Sequence, residues 1–249
     1  MPDKNILLEA CVDSVESALA AQEGGADRIE LCADLLEGGI TPSAATIALA
    51  SKFVTLPIMV MIRPRGGDFL YSDLEFEEMK LDIEFVKQFD VAGVVLGLLD
   101  EEGAVDKKRT KILVDTARPL KVTFHRAFDM ARDPFEALED LIELGIDRVL
   151  TSGQKPSVTE GIEVLKKLVA RAAGKIEIMP GGGVNEENAG KIIKLSGAKE
   201  IHASAREKKE SIMKFRNSET SMSDNENLPE YEIMVTSSKR IRAIKESIK

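Results

Sequence analysis

The chain has 249 residues, 43% of them hydrophobic and 31% charged, with a formal net charge of −9 and aromatic residues at only 4%. That apolar share supports a full core and excludes a disordered chain. The acidic balance and the absence of Trp argue against nucleic acid or an anionic membrane as partner, since both reward a basic face.

Short β-branched runs alternate with stretches of helical period along the chain. Strands are predicted near residues 5–11, 27–32, 57–62, 92–97, 120–125, 147–152, 176–180 and 199–204. Helices are predicted near 13–24, 43–52, 74–89, 106–117, 133–144, 156–171, 185–195 and 237–247. Eight of each in alternation is the count of a closed α/β barrel of the (β/α)₈ or TIM type, one domain over residues 1–249. Asp13, Ser43, Asp133-Pro134 and Asn185 read as helix starts. Gly25, Gly145 and Gly197 read as helix ends, each opening a similar phrase: Gly25-Ala26-Asp27-Arg28-Ile29, Gly145-Ile146-Asp147-Arg148-Val149 and Gly197-Ala198-Lys199-Glu200-Ile201. Residues 206–236, with Ser221-Met222-Ser223-Asp224-Asn225, read as an irregular final βα loop over the barrel mouth. No apolar run nears the roughly 20 residues of a membrane span. Met1-Pro2-Asp3-Lys4-Asn5 runs straight into the first strand, so a cytoplasmic protein without a targeting segment is expected. In that compartment Cys11 and Cys32 are expected to be free thiols.

In such a barrel the helices cover the outer strand faces, so the more apolar register points outward. This leaves Glu9, Cys11, Glu30, Cys32, Met59, Met61, Arg63, Thr123, His125, Met179, Glu200, His202 and Ser204 facing the axis. Buried charges must pair, bind a ligand or reach solvent, and Glu9 with Arg28 is one pairing this register allows. Both histidines and both cysteines of the chain fall on that register at strand C-terminal ends, where barrel chemistry resides. The glycine run Gly181, Gly182 and Gly183 follows the seventh strand, and Ser204 and Arg206 follow the eighth. Together they suit an anion such as phosphate. Arg63-Pro64-Arg65 offers forked donors to a carboxylate or phosphate. Within one turn, His125, Arg126 and Asp129 supply an acid or base, an anion clamp and an orienting carboxylate. Cys11 and Cys32, level on adjacent strands roughly 4.8 Å apart, could pair on soft Cu(I), although no Cys-x-x-Cys spacing marks them.

Leu8-Glu9-Ala10-Cys11, Asp27-Arg28-Ile29-Glu30-Leu31-Cys32, Ile62-Arg63-Pro64-Arg65-Gly66-Gly67-Asp68-Phe69 and Thr123-Phe124-His125-Arg126-Ala127-Phe128-Asp129 are similar to phrases of the CutC copper-homeostasis protein family. The resemblance runs in order from about residue 6 to 231. It implies a cytosolic barrel, homo-oligomeric in some members and linked to copper, with Cu(I) held at Cys11 and Cys32. Two readings follow. The first is Cu(I) binding through barrel-mouth thiols. The alternative is an enzyme of lyase, isomerase or hydrolase type acting on a small phosphorylated or carboxylated metabolite. There Arg206, Ser204 and the glycine run would hold the anion, Arg63 and Arg126 would clamp a second oxygen, Glu30 and His125 would move protons, and Asp129 would orient them.

Overall fold

A computed structural model of the protein describes residues 6–217, 219, 220, 222 and 229–249. Eight parallel strands form a nearly closed barrel: β1 Leu7–Val12, β2 Arg28–Leu31, β3 Ile58–Met61, β4 Gly93–Leu96, β5 Lys121–Phe124, β6 Arg148–Thr151, β7 Glu177–Pro180 and β8 Glu200–Ala203. They pair in chain order from β1 to β7, β8 returns to β1, and a bridge from Gly181 to His202 closes the seam between β7 and β8. The helices are α1 Val15–Gly24, α2 Ala44–Phe53, α3 Asp73–Val86, α4 Lys107–Ala117, α5 Pro134–Glu143, α6 Ile162–Ala172, α7 Ala189–Ser196 and α8 Ser238–Ser247.

The period-two register explains the barrel's two cores. Leu8, Ala10, Ile29, Leu31, Val60, Val94, Leu96, Val122, Phe124, Val149 and Ile201 point outward, are fully buried, and join the helices in one apolar layer. Caps set most helix limits. Ser43 caps α2 by accepting from Thr46 N at 3.2 Å, and Asp133 caps α5 ahead of Pro134. Ser14, one residue beyond the expected Asp13, caps α1. Gly25, Gly145 and Gly197 take the positive φ that the chain needs to turn out of α1, α5 and α7.

Three expectations of the sequence are corrected. Helix α7 starts at Ala189 rather than Asn185, because Asn185 Oδ1 accepts from Glu187 N (2.9 Å) and Asn188 N (3.1 Å) and folds residues 185–188 into a turn. Helix α6 starts at Ile162 rather than near 156, after a segment in which Gly153 and Gln154 both have positive φ. The stretch 206–236 is not wholly irregular. Its ends are strands β9 Arg206–Glu210 and β10 Glu232–Thr236, paired antiparallel. Ser218, Ser221 and residues 223–228 of that stretch lie outside the described residues.

The repeated phrases have a physical meaning. Asp27 accepts Leu8 N at 2.7 Å and Asp147 accepts Val122 N at 2.9 Å, so each aspartate stitches the start of the preceding strand. The next residue, Arg28 or Arg148, turns into the barrel, and both guanidiniums meet on Glu200, which the third phrase delivers. Arg28 Nη2 lies 2.6 Å from Glu200 Oε2 and Arg148 Nη2 lies 2.9 Å from Oε1. Arg28 Nε also bonds Glu9, the pairing the register allowed. Taking away one partner of a buried pair leaves a charge without compensation. Arg28→Ala should therefore lower the unfolding free energy by about 3–5 kcal/mol, measured by denaturant titration. Asp115→Asn, in the exposed Lys111–Asp115 pair, should change it little.

Candidate functional site

Above that floor, β1 and β2 carry a buried thiol–carboxylate cluster. Glu30 Oε2 accepts from Cys11 Sγ at 3.1 Å and from Cys32 Sγ at 3.4 Å, and the two sulfurs lie 4.0 Å apart. His202 of β8 joins it to the floor: Nδ1 is 2.9 Å from Glu9 Oε1, and Nε2 is 3.8 Å from Glu30 Oε2. The electrostatics follow from this chain of contacts. Burial would raise the Glu9 carboxyl, but Arg28, and then His202, bring it down to about 2. The hydrogen bond from Cys32, and then His202, overcome burial and lower the Cys11 thiol to about 5. Cys32 is pushed well up by donating to Cys11 and by burial. Glu30 is pushed well up by burial and by the charge at Cys11. Burial would lower His202, yet Glu30, Cys11 and Glu9 raise it well above an ordinary imidazole. The balance is simple. The cations Arg28, Arg148 and His202 face Glu9 and Glu200 and one further negative charge, shared by Cys11 and Glu30.

The opposite wall comes from β5 and β6. His125 follows β5, and Gly97, just past β4, leaves room for the ring: a Cβ there would lie 2.5 Å from His125 Nδ1. Nδ1 accepts from Ala127 N at 3.1 Å, so Nε2 carries the proton. Burial, and then Arg63, hold this imidazole down to about 3, which keeps it neutral. Its Nε2 is buried without a partner among the described residues. A 3₁₀ turn, Arg126–Met130, follows. Arg126 Nε binds Asp129 at 2.7 Å and Nη2 binds Ser152 Oγ at 3.0 Å. Asp129 also accepts Ser152 N and Gln154 N, each at 3.0 Å, and so ties down the loop after β6.

Arg63 ends up chiefly as a loop clamp. Its Nη1 donates to Glu37 O (2.7 Å) and Gly39 O (3.0 Å), and Nη2 donates to Gly67 O (3.1 Å). Arg65 is committed to Glu75 at 2.5 Å and Asp68 at 3.0 Å, so the two arginines do not form one fork.

A cavity of about 330 Å³ opens between these walls. Of the residues expected in the site, Cys11, Glu30, Arg63, His125, Arg126, Asp129 and His202 line it, together with Met61, Phe69, Met130, Leu150, Glu37 and Gly38. Cys32 lies fully buried behind Cys11. Gly181, Gly182, Gly183, Ser204 and Arg206 are not in the lining. Gly181 packs on Leu150 and His202, and Gly182 backs the Arg126 guanidinium. Arg206 pairs with Asp13 at 3.6 Å, and Ser204 O accepts from Thr236 Oγ1 at 3.4 Å. None of the described residues of the β9–β10 arm lines the cavity. Phe69 and Met130 were not foreseen, because each sits in a loop with no strand register to direct it.

The neutral His125 has a measurable consequence. The unfolded chain protonates this imidazole near 6.5, the native protein only near 3. Below about 6.5 the unfolded state therefore binds a proton that the native state refuses, and stability falls with pH by about 1.4 kcal/mol per unit. The parent should lose stability between pH 6.5 and 4.5 more steeply than His125→Gln by about that slope, in denaturant titrations across pH. Parallel curves would show that His125 is not held neutral.

The CutC family model matches residues 6–207. The chain is 51% identical over 238 residues to a human protein named copper homeostasis protein cutC homolog, covering 96% of this chain and 87% of the relative. It is 50% identical over 246 residues to a CutC family protein of Bacteroides fragilis, covering 98% of each. A crystal structure of CutC from Streptococcus agalactiae superposes with a TM-score of 0.77 at 34% identity, over 80% of this chain and 98% of that one. The family-model match, the identity over nearly the whole chain and the shared barrel agree: this chain belongs to the CutC family.

Proposed function

We propose that the protein takes part in copper homeostasis by binding one Cu(I) between Cys11 and Cys32. The observation that carries this reading is the 4.0 Å separation of the two sulfurs on adjacent strands. Metal–thiolate bonds of about 2.3 Å let one ion bridge sulfurs up to about 4.6 Å apart. The surroundings suit a soft ion. Cys11, Cys32, Met59 and Met61 pack into one buried cluster inside the barrel, bringing two thioethers beside the two thiols. Cys11, Glu30 and Cys32 each offer one ligand atom, and these lie within 4.8 Å of one another. Metal binding by thiols releases protons, and Glu30, which accepts hydrogen bonds from both, can hold one of them while the other leaves to solvent. The reading also places the protein in the reducing cytosol, where two free buried cysteines this close stay reduced.

Anaerobic titration against a competing Cu(I) chelator tests it. The parent should bind one equivalent tightly, Cys11→Ser and Cys32→Ser should each abolish tight binding, and Met61→Leu should weaken it less. A Cys11→Ser/Cys32→Ser double variant that binds as tightly as the parent would overturn thiolate ligation.

A further inference from the structure

The copper site uses the sulfur side of the cavity and leaves the other side unexplained. Three residues of the lining each carry a side-chain atom buried without a hydrogen-bond partner among the described residues: His125 Nε2, Arg63 Nε and Glu30 Oε1. Their residues are 3%, 5% and 2% exposed. A buried polar atom left unpaired costs about 1–3 kcal/mol, and three of them on residues that line one cavity form a pattern. Two are donors: Nδ1 of His125 accepts from Ala127 N, so Nε2 bears the hydrogen, and a guanidinium Nε can only donate. The third is a carboxyl oxygen whose partner oxygen already serves both thiols. At the rim, Arg126 has Nε and Nη2 committed to Asp129 and Ser152, and Nη1 is left over as a donor.

We infer that this cavity is also a binding site for a small hydroxy- or oxo-carboxylate. Its inner oxygens would meet His125, Arg63 and Glu30, and its carboxylate would meet Arg126. A volume of about 330 Å³ suits a molecule of this size and falls at the small end of ligand pockets. Phe69, Leu150 and Met61 give the apolar walls that surround a short carbon chain. One rim arginine, already half-neutralised by Asp129 at 2.7 Å, fits a singly charged carboxylate better than a phosphate dianion. A neutral imidazole that donates from Nε2 is a group that polarises a carbonyl oxygen without giving up its proton. His125, Arg63 and Arg126 offer no atom to the metal in the copper reading, so the two sites can fail separately.

The test uses the copper-free full chain, both parent and the Cys11→Ser/Cys32→Ser double variant, with glycerate, pyruvate and glycerol 3-phosphate as probes. Calorimetry and melting temperature should show glycerate or pyruvate binding to both proteins, since neither cysteine is required. Arg126→Gln, at the half-exposed rim where folding is not at stake, should weaken binding about tenfold, the loss of one charge-assisted hydrogen bond. The His125 Nε2–H resonance should shift when the probe is added, a readout that a merely structural histidine would not give. The inference is overturned if no carboxylate binds the parent, if only glycerol 3-phosphate binds, or if Arg126→Gln binds unchanged and the His125 resonance stays put. Binding that vanishes in the cysteine double variant overturns it too, because the probe would then be a thiol ligand.

Discussion

A barrel axis filled by charge is the constraint from which the rest of this molecule follows. Arg148, Glu200, Arg28, Glu9, His202 and Glu30 form a chain of contacts that climbs the interior from the strand N-termini to the cavity. An ordinary barrel fills that space with branched apolar side chains. Here each buried ion is tolerable only because its neighbours are held in place, so the strands cannot shift register without stranding a charge. Cross-strand register is what sets the site: Glu9 stands opposite both Arg28 and His202, and Cys11 stands opposite Glu30. The low Cys11 thiol is the upper end of this chain, since His202 is cationic only while Glu9 and Glu30 face it.

Much of this was readable from residue patterns, and the failures have physical reasons. Alternation along each strand placed Glu9, Cys11, Glu30, Met61, His125 and His202 inside because a strand's side-chain period admits no compromise. The same rule covers Arg28 and Arg148, but each opens its strand in a phrase that looks like a helix-exit turn. The register already allowed Arg28 to reach Glu9, but only the fold shows that both arginines converge on Glu200. Loops follow no such period. Arg63 and Arg126 are both arginines just past a strand, yet one spends both terminal nitrogens on the carbonyls of Glu37, Gly39 and Gly67, and the other commits one terminal nitrogen to Ser152. Sequence spacing cannot tell these fates apart, because they depend on where a second loop comes to rest. Likewise the glycine run after β7 has the form of an anion turn. In the fold, Gly181 packs against Leu150 and His202, and the run lies outside the lining of the cavity.

The two halves of the cavity divide by chemistry because they divide by strand. The sulfur atoms and Glu30 come from β1 to β3, and the hydrogen-bonding wall of His125, Arg126 and Asp129 comes from β5 and the turn after it. In an eight-stranded barrel β1 and β5 stand across the axis, so groups from the two sets face each other over the opening. Two glycines, one opening β4 and one just past it, make this possible: a Cβ at Gly93 would strike Met59 Sδ at 2.8 Å, and one at Gly97 would strike His125. A thin fourth strand thus lets a thioether enter from one side and an imidazole from the other. Opposed walls of unlike chemistry are what a bound small molecule needs if its two ends differ, and more than a metal held by two adjacent thiols needs. For that reason the neutral His125, which takes no part in the charge chain on the other wall, is the residue that most separates a copper site from a site that also handles an organic anion.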